Sequence, residues 1–195
     1  AVNGMHLIRA AQDLILYNLT LSEEIDSFDD TAHLSTWNDD PVWQGVRETA
    51  ESLTAIYDWA EAVFATNIVF QPLVGELFRS NLVQQSAPLN GDFVTPTLIS
   101  AEEYDYAERD LRYTMAMFRL LVDDSEFATH NKSTMQSWLS KWVPRCLGAA
   151  RKLQPLWSLP DAKPPRFEDG LDRVKSRFTD ILAQLQLETP KELAQ

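Results

Sequence analysis

The chain has 195 residues, 45% of them hydrophobic, enough to build one substantial core. Lysine and arginine number 17 against 29 aspartates and glutamates, a formal charge of −12. That balance argues against nucleic acid and against an anionic membrane surface, because no run of cations offsets the repulsion. The single Cys146 cannot form an internal disulfide and has no Cys or His partner at metal-ligand spacing, which suits a reducing cytoplasm. Few glycines, with Leu, Ala, Glu and Gln abundant, favour helices.

The first expected helix covers about residues 5–28. Leu7, Leu14, Leu21, Ile25 and Phe28 share one stripe, and Ile8, Ala11, Ile15 and Leu19 form a second beside it. Two adjacent stripes predict a helix buried on much of its circumference, in the middle of a bundle. Residues 29–41 carry turn chemistry, and Asp40 with Pro41 starts a long helix running to about residue 85. Val46, Ala50, Leu53, Tyr57, Ala60 and Phe64 would form its core face, and Pro72 should kink or divide it.

Asn90-Gly91 supplies a positive-φ turn in the loop at 86–98. Ser100 is the expected cap of the next helix, opened by Glu102 and Glu103 and ending near residue 123. Another helix starts near Ser125, includes Pro144 and ends near Trp157. Residues 158–165 form a Pro-rich linker before an amphipathic helix over about 167–187. No internal repeat or low-complexity tract is present. The reading is one all-α domain over residues 1–195, a portion, fragmentary or C-terminal, of a longer subunit.

Several local signatures occur in a telling order: Asp40-Pro41-Val42-Trp43, Asp58-Trp59-Ala60-Glu61, Asn90-Gly91-Asp92, the Tyr- and Arg-rich stretch from Tyr104 to Tyr113, and Asp124-Ser125-Glu126-Phe127. Over most of residues 5–157 the series resembles the hydroxylase β subunits of bacterial multicomponent monooxygenases, of the soluble methane and propane type. The resemblance implies a ferritin-like, ribonucleotide-reductase-like bundle with long central helices. It implies partners as well: hydroxylase α and γ subunits in an (αβγ)2 assembly, a regulatory protein and a reductase.

In that family the α subunit holds two irons with two Glu and two Glu-x-x-His units, residues i and i+3 facing one side of a helix. By resemblance, the corresponding positions here fall near Asn3, His6, Gln71, Tyr106 and Arg109. An amide, a phenol and a guanidinium would stand where carboxylates and imidazole are needed. The resemblance therefore implies no metal, cofactor or catalytic residue in this chain, and a di-iron centre in the partner α subunit. The expected role is a structural, non-catalytic, cytoplasmic component of an NADH-dependent hydrocarbon hydroxylase.

Bland readings compete at each polar cluster. Asp29, Asp30 and His33 read as a solvated turn with helix caps rather than a metal cluster. Arg109, Asp110, Arg112 and Glu108 read as a salt-bridge network filling the vacated metal cavity. Asn67 continues the Phe64 stripe and should be buried and hydrogen-bonded. The six Trp divide between core and subunit interface. Two other readings would fit an all-helical acidic chain: a self-sufficient metal-dependent helical enzyme, or a helical adaptor unrelated to oxygenases.

Overall fold

The computed structural model describes residues 2–194, with side chains from residue 4 to residue 193, and every regular element among them is helical. Helices α1 (Val2–Glu24), α2 (Ala32–Asp39) and α3 (Pro41–Thr54) lead into a continuous rod over residues 59–86. The rod opens as α4 (Trp59–Val63), runs through π-helical segments Phe64–Gly75 and Leu77–Val83, and closes as α5 (Gln84–Ser86). A second rod over residues 94–122 joins α6 (Val94–Asp105), the π segment Tyr106–Leu111 and α7 (Arg112–Val122). α8 (Ala128–Lys152) and α9 (Phe167–Gln184) complete the bundle. No helix among the described residues is long and apolar enough to cross a membrane.

The segment Phe64–Gly75 is the centre of the molecule. Ten of its 12 residues are buried, and a helix apolar all round must be enclosed on every side. α8 and α9 pack directly on it, and α7 and α3 cover more of its surface. Phe64 meets Phe118 edge to face at 5.1 Å and Trp138 at 5.5 Å, giving an aromatic cluster across three helices. α3 lies close along α8 because residue 45 is glycine: a Cβ there would fall 2.9 Å from the Ala149 Cα.

α1 takes the edge rather than the middle of the bundle. It packs along α6 with Leu14 and Leu21 half-buried, while Ile8, Ile15, Leu16 and Leu19 remain exposed. α1 carries Arg9 and Asp13 beside the polar Gln12 and Asn18, whereas residues 62–75 of the 59–86 rod hold no charged side chain. The more apolar helix takes the enclosed position.

Several helix boundaries also differ from expectation. Residues 32–39 form α2, entered through Asp29, which accepts hydrogen bonds from the Thr31 amide and hydroxyl. The expected 41–85 helix breaks at residues 55–58, leaving Tyr57 fully exposed, and Asp58 restarts it by capping the Ala60 amide at 2.8 Å. It does not divide at Pro72, which lies where bonding has already shifted to i→i+5, as from Glu76 N to Gln71 O. Replacing Asp58 with alanine should cost about 1 kcal/mol, read as a lower urea midpoint at unchanged slope.

The second rod starts at Val94, not Ser100. Asp92 accepts from the amides of Val94 and Thr95, and Pro96 falls in the first turn, where its missing N–H costs nothing. Ser100 instead donates to the Pro96 carbonyl within the helix. Gly91 has φ 88°, as the Asn-Gly turn requires.

Candidate functional site

α1 and the two rods meet around a polar centre. His6 from α1, Gln71 from the first rod and Tyr106 from the second line one cavity of about 220 Å³. Arg109 reaches the same place: its Nη2 rests against His6 Nδ1, and Asp105 Oδ2 lies 3.0 Å from that nitrogen. Four of the five positions singled out by resemblance are thus brought together. The fifth is Asn3, whose side chain lies outside the described residues.

Hydrogen bonds tie this centre across both rods. Tyr106 Oη donates to the Asn67 carbonyl at 2.8 Å, and Asn67 Nδ2 donates to Thr114 Oγ1 at 2.9 Å. The Thr114 hydroxyl donates to the Asp110 carbonyl, while the Asp110 carboxylate takes Arg109 Nε at 2.9 Å. Burial holds the Tyr106 phenol well above its ordinary value, so it stays a neutral donor. Asn67 is buried and bonded, as its place on the Phe64 stripe implied. The proposed ionic group, however, splits. Arg109 and Asp110 face the centre, whereas Glu108 and Arg112 pair at 3.8 Å on the exposed side of the helix. The Asp29, Asp30 and His33 group stands apart near the start of α2.

The dominant charge cluster was not apparent from motifs. Arg79, on the first rod, places Nε 2.5 Å from Glu103 Oε1, Nη1 3.3 Å from Glu102 Oε1, and Nη2 2.7 Å from Gln71 Oε1. Ser80 donates to the other Glu103 oxygen. Gly75 makes room for this: a Cβ there would lie 2.5 Å from Gln71 Oε1 and 2.9 Å from both terminal nitrogens of Arg79. One helical turn before Arg79 sits Glu76, 7% exposed, with Arg177 Nε of α9 3.0 Å from Oε2 and no hydrogen-bond partner for Oε1 among the described residues. Burial pushes the Glu76 carboxyl up to about 7, against the opposing pull of Arg177.

A di-iron centre does not fit this donor set. Gln71 and Tyr106 are neutral, Gln71 Oε1 is committed to Arg79, and a guanidinium lies on the imidazole nitrogen of His6. Two ferric ions need several anionic ligands facing one another. Among the described residues no three His, Cys, Asp or Glu side chains are disposed to share a metal ion.

Two long rods with π segments and a polar centre between them define a ferritin-like helical bundle. Phenol hydroxylase from Pseudomonas sp. OX1 has this fold, matching with a TM-score of 0.74 and 22% identity over 95% of this chain and 52% of that one. Toluene 4-monooxygenase, solved with toluene in its resting active site, matches at a TM-score of 0.60 and 28% identity, over 70% of this chain and 43% of that one.

The chain belongs to the methane/phenol/alkene hydroxylase family, whose sequence model matches residues 1–125. It is 51% identical over 195 residues to the hydroxylase component small subunit of propane 2-monooxygenase from Rhodococcus jostii, an alignment covering 100% of this chain and 53% of that protein. The chain therefore spans about half the length of the relatives it matches.

Proposed function

We propose that this chain serves as the structural, non-catalytic β subunit of a di-iron hydroxylase that oxidises small hydrocarbons with O2 and electrons from NADH. The observation that carries this reading is the polar centre. At the positions of resemblance the helices keep their convergence, but the groups that converge are His6, Gln71, Tyr106 and Arg109, closed by Arg79 and Asp110. The similarity to the propane 2-monooxygenase small subunit supports the substrate class.

On this reading residues 1–195 fold as one domain and contribute scaffold to an (αβγ)2 assembly. The partner α subunit supplies the iron that activates O2, and a regulatory protein and reductase dock on the complex. The setting is the cytoplasm, consistent with a buried thiol, Cys146, that burial pushes up to about 12 and so keeps unreactive.

Native mass spectrometry with metal analysis of the complex from its source tests the proposal. The expected result is this subunit bound to a larger one, with the iron in the larger. Stoichiometric iron in the separated β subunit would overturn it. A companion prediction concerns Arg109→His combined with Tyr106→Glu, which should take up less than a tenth of an equivalent of iron. Gln71 would stay neutral and Arg79 would still occupy its oxygen, so restoring one Glu-x-x-His unit leaves the site half built. Tight stoichiometric uptake by the double variant would count against a lost site.

A further inference from the structure

We propose that the cavity at the polar centre is a binding site for a small neutral molecule with an apolar body and one hydroxyl, such as a short-chain alcohol. The lining alone points to this ligand, while its test takes the chain in the hydroxylase of the proposed function. At about 220 Å³ the space exceeds an engineered cavity of roughly 150 Å³ that accommodates benzene. Leu7, Ala62 and Val63 form an apolar wall, and Thr66, Asn67 and Gln71 form a polar one. The cavity adjoins an open groove between α1 and α6, with His6 and Glu102 lining both.

The charges on the wall are already matched. Asp110 takes Arg109 Nε at 2.9 Å and Glu102 lies 3.3 Å from Arg79. An ionic ligand would lose hydration without finding a free counter-charge, so the site selects neutral molecules. Hydrogen-bonding capacity is nonetheless left over. Asn67 is 6% exposed and Gln71 7%. Asn67 spends its amide nitrogen on Thr114, and Gln71 spends its oxygen on Arg79. Asn67 Oδ1, Gln71 Nε2 and the Thr66 hydroxyl make no hydrogen bond among the described residues, and they are not sealed in protein as Glu76 Oε1 is. One acceptor, one donor and one group that does both, beside an aliphatic wall, suit a hydroxyl carried on a few carbons.

The test uses crystals of the intact hydroxylase soaked with 2,2,2-trichloroethanol, with 1,1,1-trichloroethane as the same body lacking the hydroxyl. Anomalous chlorine density reports occupancy at this cavity alone, whatever other cavities the assembly holds. The expected result is alcohol density between Leu7 and Val63, its oxygen toward Thr66 and Gln71, at soak concentrations where the hydrocarbon shows little. Thr66→Val, which keeps the side-chain shape, should raise the alcohol concentration for half-occupancy about 3- to 10-fold and leave the hydrocarbon unchanged. Water alone in the cavity at saturating alcohol would overturn the proposal. Equal binding of both probes, or alcohol binding indifferent to Thr66→Val, would overturn it too.

Discussion

Arg79→Met should destabilise the fold by about 3–5 kcal/mol near neutral pH, the usual cost of removing one partner from a buried ion group. Arg79, Glu102 and Glu103 are 14%, 12% and 17% exposed at the side chain, so solvent cannot replace the lost cation. Two neighbouring carboxylates of α6 would then point at the first rod with no counter-charge, and Gln71 would lose its donor. Glu102 is already held above its ordinary value by burial, with Arg79 pulling the other way. Without Arg79 the Glu102 carboxyl should bind a proton more readily still. The loss should therefore be smaller at pH 5 than at pH 8, a difference readable from urea unfolding at the two values. Adding Glu102→Gln and Glu103→Gln to Arg79→Met should recover much of the stability, because the penalty lies in unpaired charge rather than lost volume. A triple variant no more stable than the single one would show that packing, not electrostatics, gives Arg79 its weight.

The helical class, the cap at Asp40 and the Asn90-Gly91 turn were legible because each rests on local chemistry. The Asp58 cap marks a family signature, yet the break it closes at residues 55–58 was hidden, since Leu53, Tyr57 and Ala60 keep helical spacing straight across it. Periodicity reports which residues could share a face, not whether the backbone stays helical between them. α1 shows the same limit at the next level. Its double stripe is real, but which of two apolar helices takes the centre is a competition that only assembly decides, and the 59–86 rod wins it. At the polar centre, resemblance picked out His6, Gln71, Tyr106 and Arg109, and the fold gathers those four. Arg79 and Glu76 belong to no motif, yet the sequence around them carries a signal. They are the only charges in the apolar run from Ala62 to Val83, and charges in such a run are buried unless the helix ends. Glu102 and Glu103 complement a helix dipole only if Ser100 caps the helix; with the helix beginning at Val94 they lie well past its first turn.

Glu76→Gln tests the other overlooked residue through pH. The folded-state carboxyl titrates at about 7 against an ordinary value of 4.5, so the folded chain holds a proton that the unfolded chain releases. Below pH 4.5 both states are protonated and the group contributes nothing. Between 4.5 and 7 the unfolded state alone ionises, so stability falls as pH rises, and above 7 the loss is complete at about 3 kcal/mol. Glutamine has no proton to lose. The difference in stability between variant and parent should accordingly lie flat below pH 4.5, grow in favour of the variant through the window, and level off by pH 8. Groups facing Glu76 shape the curve: Arg177 and Arg79 lower its carboxyl and Glu103 raises it, while Tyr106 remains neutral throughout. Arg177 is 47% exposed, so after the substitution water can solvate the guanidinium that Glu76 no longer balances. If the variant and the parent instead tracked each other from pH 4 to pH 8, the orphaned oxygen of Glu76 would have to be satisfied as a carboxylate, and burial would not govern its charge.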